Sequence, residues 1–377
     1  MSEFGLSDTM EDLVAELSRN VDRARNGFKY FIGAEKIEVG ITPKEAVWSY
    51  DKVQLFRYQN QKVLYSTPIL LVMSLISRSY VLDLRPNKSL VEYLTKRGFD
   101  VFLVDWGVPD GFEADNSLET YTHEYLTLAV ENVIRISGAE SVTLYGYCLG
   151  GDLALLYAAS HPEAPIRNLV TMATPVNFSG MGPAMELLKD DKFDLQKLLG
   201  WDGNVPAVDI ANSFKLLKPT GDMISRANLI ENLWDDEFMD GYLAMSRWTG
   251  EHIPFPGRAF LQIVDLLIRK NCLAVGKCEL GGEVVSLSSI KCSLLNVIAE
   301  KDHIVPIECA SPVTTLVGSQ DAAELRLPAG HAGLIVGRQA TSVTMPKIAD
   351  WIGARSVLLG EDIVSRDGRT DERTELV

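Results

Sequence analysis

The chain is short of cysteine, of positive charge, of histidine and of long apolar runs, and each shortage excludes something. Its five cysteines among 377 residues are Cys148, Cys272, Cys278, Cys292 and Cys309. An odd number without a CxxC pair predicts reduced thiols packed in a core, not a disulfide framework. Lys and Arg total 36 against 51 Asp and Glu, a formal net charge of −15. That sign argues against a nucleic-acid binder or a polybasic protein of the membrane surface. The longest strongly apolar run, residues 68–76, is far short of the ~20 residues of a membrane-spanning helix. Residues 1–26 lack the basic start and apolar stretch of a secretion signal, so a soluble cytoplasmic protein is expected. The five histidines have no partners at metal-ligand spacing, and no metal is expected. What the chain does have is 46% hydrophobic and 23% charged residues at a mean hydropathy of +0.05. That is the profile of a folded globular protein.

Leu6, Met10, Leu13, Leu17 and Val21 recur at spacings of three or four, which predicts an amphipathic helix packed on the body. Residues 53–58 and 61–65 read as an antiparallel pair turning at Gln59 and Asn60. Short uninterrupted apolar runs follow at 69–73, 101–104, 142–144, 169–172 and 294–299, with a weaker one at 325–327. Such strands are buried on both faces, as in parallel sheets. Helical segments at 89–97, 121–136 and 150–160 alternate with them. The expected class is α/β: a mostly parallel, doubly wound sheet. From 174 to 289 the alternation gives way to a mostly helical stretch rich in Phe, Trp and Leu, read as a cap inserted between two strands. A last helix is expected near 340–352. The expected division is a helical segment at 1–50, an α/β core at 51–177 and 290–356, a cap at 178–289, and a charged, disordered tail at 357–377.

The informative segment is Gly146-Tyr147-Cys148-Leu149-Gly150-Gly151. A buried strand running into Gly-x-Cys-x-Gly and then a helix is a nucleophile elbow with cysteine where a hydrolase usually has serine. The tight turn requires glycine, and it aims the Leu149 N–H at a developing oxyanion. A phosphate loop is a poorer reading, because GxGxxG is broken and no Walker lysine follows. The elbow demands an acid and then a histidine on loops after later strands. Asp302 lies just past the run at 294–299 and His331 just past 325–327. His303, beside Asp302, reads as a structural or supporting residue, since adjacent side chains point apart. The other four cysteines default to core packing.

These motifs, with Tyr80-Val-Leu-Asp83-Leu84, Val104-Asp105-Trp106-Gly107-Val-Pro109-Asp110, Gly203-Asn-Val-Pro206, Glu279-Leu-Gly281-Gly282, Glu300-Lys-Asp302-His-Ile-Val-Pro306 and Gly330-His331-Ala-Gly333, resemble those of polyhydroxyalkanoate synthases. The resemblance runs from about Ile41 to Arg355. It implies an α/β-hydrolase fold that polymerises (R)-3-hydroxyacyl-CoA, short-chain units such as 3-hydroxybutyryl-CoA being expected. Cys148 is then the nucleophile, Asp302 the acid and His331 the base, with Leu149 and Ile76 supplying oxyanion-hole backbone groups. Asp105, Trp106 and His303 are supporting candidates. Ser77 stands where the family commonly has Asn. The size resembles the short class III and class IV catalytic subunits. That implies a separate small subunit, a homodimer, a growing polyester chain or granule as partner, and no cofactor, CoA being only a leaving product. A hydrolase using the same triad, or a non-catalytic relative, are the alternatives.

Overall fold

The apolar runs become the middle of an eight-stranded sheet in the computed structural model, which describes residues 4–31, 37–217 and 221–359. In chain order the strands are β1 (Lys44–Tyr50), β2 (Val53–Tyr58), β3 (Ile69–Val72), β4 (Val101–Asp105), β5 (Val142–Tyr147) and β6 (Ile166–Met172). A separate hairpin follows, β7 (Lys277–Leu280) with β8 (Glu283–Ser286), and then β9 (Ser293–Ala299) and β10 (Ala322–Leu327) complete the sheet. The order across the sheet is β1-β2-β4-β3-β5-β6-β9-β10. Only the β1–β2 and β2–β4 pairings are antiparallel.

Alternate residues of the central strands enter different cores, as the two-residue period of a strand requires. Leu70, Val72, Phe102, Val104 and Leu144 face one layer, which includes helices α3 (Leu126–Ser137) and α4 (Leu149–Ser160). Ile69, Leu71, Val101, Leu103 and Tyr145 face the other, against α2 (Leu90–Lys96) and the last helix, Met345–Gly353. Burial on both faces explains why these strands read as unbroken apolar runs.

Between β6 and β9 lies the inserted block. Its helices are α5 (Pro183–Lys189), α6 (Ala207–Leu217), α7 (Gly221–Asn232), α8 (Asp236–Gly250) and α9 (Gly257–Ile263). The block is not purely helical, since it ends in the β7–β8 hairpin.

Five expectations are corrected. Val53–Tyr58 is a strand, but its hairpin partner is β1, turning at Asp51 and Lys52, and not 61–65. The segment 1–50 therefore holds a strand as well as a helix. Asp51, with φ 49°, takes the left-handed conformation that a two-residue turn needs. Residues 64–66 instead bond to 357–359, through Ser66 N–H to the Val357 carbonyl and Leu359 N–H to the Leu64 carbonyl. The beginning of the expected tail is thus docked, and 360–377 lie outside the described residues.

Helix α1 (Phe4–Phe31) forms, but Leu17 and Val21 of its apolar stripe are 58% and 68% exposed. The side chains of Leu6, Met10 and Leu13 lie outside the described ones, and the rest of the helix is held by polar groups and by Tyr30, edge-on to Tyr242. Asn26 donates to the Leu233 carbonyl and to Asp236, Arg25 pairs with Asp236, and Arg19 lies over the Trp234 ring. Finally, Cys272 and Cys278 form a disulfide. A one-turn helix, Cys272–Val275, sits between left-handed Asn271 and Gly276 and folds the chain back, bringing the two Cα atoms to 5.0 Å. A spacing of six residues carried no signal of this return.

Candidate active site

The parallel register aligns strand ends, and the ends assemble the site. Val72 pairs with Gly146, Tyr147 with Met172, Met172 with Val297, and Ala299 with Leu327. The loops after β3, β5, β9 and β10 therefore leave one edge of the sheet, where open α/β sheets bind ligands. Cys148 follows β5 directly, Asp302 lies three residues after β9, and His331 four after β10. Backbone bonds from Glu300 N–H to Leu327 and from Lys301 N–H to Ala329 tie the acid loop to the histidine loop.

Cys148 has φ 54° and ψ −129°, a conformation that costs a residue with a side chain about 1–3 kcal/mol. The flanking glycines allow it. A Cβ on Gly146 would lie 2.4 Å from Gly151 Cα, one on Gly150 2.2 Å from the Val72 carbonyl oxygen, and one on Gly151 1.9 Å from Thr174 Oγ1. The Cys148 N–H is anchored on the Met172 carbonyl at 2.9 Å.

Asp302 is saturated. Its Oδ1 accepts the Ile304 and Val305 N–H groups at 2.8 and 2.9 Å, and its Oδ2 lies 2.7 Å from His331 Nδ1. Its side chain is 1% exposed. With Nδ1 committed to Asp302, the other imidazole nitrogen is left for Cys148, whose charge acts on the ring. Burial opposes charge on His331, but the Cys148 thiolate and Asp302 outweigh it and raise its pKa to about 10. The two other free thiols have no such setting. Burial pushes Cys292 and Cys309 up to about 11, where little reactive thiolate forms near neutrality.

The loop after β3 carries Ile76, and the residues around it are pinned. Trp106 donates its indole N–H to the Met73 carbonyl at 2.9 Å, and its ring meets Tyr121 edge-on. Asp105 accepts from Ser79 Oγ at 2.5 Å and from Gly107 N–H at 2.9 Å. The Asp-Trp-Gly segment thus fixes the loop from β4, without either side chain belonging to the Cys–His–Asp cluster. The Leu149 N–H is in the first turn of α4, where helix donors lack intrahelical acceptors. The Ile76 N–H leans toward Ser74 Oγ at 3.3 Å. Trp106→Phe keeps the ring and leaves the Met73 carbonyl without its donor. Turnover is expected to fall about 10- to 100-fold with a smaller loss of stability, measured by steady-state kinetics beside thermal melting.

His303 is exposed and stays outside the cluster. His123 and His161 form a ring pair 5.0 Å apart, with Tyr157 stacked on His161. His252, which had no companion in the sequence, reaches the site from the inserted block. Its Nδ1 lies 3.2 Å from the Ile76 carbonyl, to which Ile253 N–H also donates, and its ring stacks on Phe214. Trp248 donates to the Arg78 carbonyl, and the Tyr80 hydroxyl donates to Glu251. The block therefore grips the Ile76 loop at several points, and no spacing in the sequence signals this.

Asp152 is also new, although a single carboxylate in the apolar helix Leu149–Ser160 was visible. It is fully buried one turn after Cys148, and neither oxygen has a hydrogen-bond partner among the described residues. Burial, then the charge of Cys148, hold its pKa well above the usual range. The folded protein keeps this proton while the unfolded chain loses it above about pH 4, so stability falls as pH rises beyond that point. Asp152→Asn removes the penalty. Its melting temperature is expected to exceed wild type at pH 7–8, by about 2 °C per kcal/mol recovered, and to converge with it toward pH 4.

Three kinds of likeness accompany this geometry. Residues 3–94 match the family described as poly-beta-hydroxybutyrate polymerase (PhaC) N-terminus, and residues 68–218 match the alpha/beta hydrolase fold. The poly(3-hydroxyalkanoate) polymerase subunit PhaC of Allochromatium vinosum is 32% identical over 358 residues, covering 93% of this chain and 100% of that protein. The protein of the same name from Haloferax mediterranei is 32% identical over 348 residues, covering 92% of this chain and 69% of that one. Among solved structures, a putative lipase from Sulfolobus solfataricus superposes with a TM-score of 0.53 at 15% identity, over 85% of this chain and 99% of the lipase. That similarity shows a shared α/β-hydrolase fold.

Proposed function

The chain belongs to the PhaC family of poly(3-hydroxyalkanoate) polymerases, and on that footing we propose that it polymerises (R)-3-hydroxyacyl-CoA through an acyl-Cys148 intermediate. The observation that carries the reading is the Cys148–His331–Asp302 cluster on a strained elbow, with Asp302 saturated and His331 raised. Short-chain units such as 3-hydroxybutyryl-CoA belong to the reading, supported by the description of the matched family. A second subunit is supported by the relatives' designation as subunits. No helix among the described residues is long and apolar enough to cross a membrane. The site of action is proposed to be the surface of the growing polyester in the cytoplasm.

The mechanism follows from charge. In the resting pair His331 already holds the Cys148 proton, and the thiolate attacks the substrate carbonyl while Leu149 N–H, with Ile76 N–H swung from Ser74, receives the oxyanion. The C–S bond to CoA breaks and the imidazolium returns its proton to the leaving thiolate. One thioester is broken and another made, so the step is nearly balanced. Acylation also removes the negative sulfur that raised His331, and the imidazole becomes a base. It then deprotonates the 3-hydroxyl of another unit, which attacks acyl-Cys148, forms the ester and regenerates the thiolate–imidazolium pair. Asp302 is a poor candidate for that deprotonation, because its oxygens are occupied and its side chain is buried. Water must be excluded from acyl-Cys148, and the inserted block gripping the Ile76 loop would do this.

The test is CoA release from (R)-3-hydroxybutyryl-CoA by the purified chain, with the acyl product identified. Insoluble polyester supports the reading. Free 3-hydroxybutyrate replaces it with a thioesterase, and no release even with a small subunit and longer acyl chains overturns it.

A further inference from the structure

Resting on that reading, we propose that a cleft of about 670 Å³ between α7, α8 and the connections after β3 and β10 holds the 3′-phosphorylated adenosine diphosphate end of the acyl-CoA. The chain as a whole repels anions, with a net charge of −15, yet Arg85, Lys88 and Arg338 converge on this cleft. The first two precede α2, and the third follows the histidine loop. Arg85 and Lys88 are held in place, with side chains only 16% and 19% exposed. The acids at the cleft are Asp235, which caps α8 through the Phe238 N–H, and Glu237. Glu237 lies 3.8 Å from Arg85 and 3.7 Å from Lys88, and its side chain is 71% exposed. Such long, solvated pairs contribute little, and a diphosphate would displace the carboxylate. Arg338 has no ion-pair partner among the described residues.

The wall is shaped around these cations. Gly241 interrupts α8, where a glycine is a poorer helix former than alanine. A Cβ there would stand 3.2 Å from Arg85 Nη2, so glycine lets the guanidinium lie against the helix. Phe238 and Tyr242 line the same wall with ring centroids 6.3 Å apart, and offer a face to a purine. Asn228, from α7, adds amide hydrogen-bonding groups.

The reach is right as well. From Phe238 to Trp248, α8 rises about 15 Å. Trp248 bonds the Arg78 carbonyl beside the Ile76 loop. A pantetheine arm has thirteen bonds between sulfur and phosphorus, and at about 1.2 Å of extended reach per bond it spans about 16 Å. With the phosphates on the cations, an arm of that length reaches past Trp248 to the Ile76 loop that the inserted block grips.

Calorimetric titration of the purified full chain with CoA and with adenosine 3′,5′-bisphosphate tests this. The two are expected to compete for one site. Arg85→Ala and Arg338→Ala should each weaken CoA binding about tenfold, with Arg85→Lys weakening it less. The preference for an acyl-CoA over an acyl-pantetheine thioester, read as the ratio of kcat/KM, should fall by the same factor. Unchanged CoA affinity in folded variants, or a bisphosphate that does not compete, overturns the cleft and leaves the Cys148 reading standing. A wild-type chain that turns over neither thioester overturns the reading beneath it. Should Arg85→Ala fail to fold, Arg338→Glu on an exposed side chain decides the same question: charge reversal there must weaken CoA binding, and undiminished affinity overturns the cleft.

Discussion

Cys148→Ala is expected to lower CoA release by at least about 10⁵-fold while leaving the fold intact, because loss of the nucleophile removes the whole covalent route. Alanine keeps a Cβ, so the backbone strain at φ 54° is unchanged and the packing of α4 is undisturbed. The Cys148 charge is the largest cause raising His331, so the variant should melt below wild type near neutral pH and approach it above about pH 10. Cys148→Gly loses the same charge but also relieves about 1–3 kcal/mol of strain, and should melt at a higher temperature than Cys148→Ala while being equally inactive. Different outcomes for stability and identical outcomes for activity separate the chemical role of the sulfur from the structural role of the elbow. Iodoacetamide provides an independent readout. One thiol should alkylate rapidly in wild type and none in Cys148→Ala, because burial suppresses the thiolates of Cys292 and Cys309. Normal CoA release by a folded Cys148→Ala variant would sink the mechanism.

Asp302→Asn should cost about 10³–10⁴-fold in kcat/KM with the protein folded. An amide in place of Oδ2 can present its NH2 to His331 Nδ1, which selects the wrong tautomer and turns the proton of the ring away from the position needed to serve Cys148. The pH profile carries a sharper signature. His331 is charged below about pH 10 in the resting pair, so the basic limb of kcat/KM should lie near that pH. Without the Asp302 carboxylate it should move downward. Stability changes in a defined window. The raised histidine stabilises the fold fully below its unfolded pKa of about 6.5 and loses that contribution as pH rises through about 10. Asp302→Asn should therefore be most destabilising near pH 6 and least above pH 10, measured by denaturant unfolding at each pH. A basic limb unmoved by the substitution would remove Asp302 from its role.

Much of the site was legible in the chain because local order imposes it. A nucleophile elbow has to be built within six residues, Gly146 to Gly151, and each glycine is required by a contact with backbone or side chain a few ångströms away. The acid and histidine were readable from chain order and strand ends alone, because parallel pairing of β5, β6, β9 and β10 delivers their following loops to one edge. The unbroken apolar runs declared strands buried on both faces before any neighbour was known.

What the tertiary structure alone decided concerns partners that no local pattern encodes. Val53–Tyr58 carries the same strand signal whichever neighbour it pairs with, and a left-handed Asp51 chose β1 over 61–65. The stripe on α1 has helical period, but period does not say which face is covered. The Arg25–Asp236 pair and the buried Asn26 turned the polar side of its C-terminal half inward. The Cys272–Cys278 bridge needed two left-handed residues to bring the sulfurs together. His252, Trp248 and Glu251 meet the Ile76 and Tyr80 region across more than 160 residues of chain. Sequence by itself determined the fold class and the residues of the candidate site, because strand period, glycine sterics and chain order act over short distances. Only packing decided what holds those residues in place, because it joins side chains that are far apart in the chain.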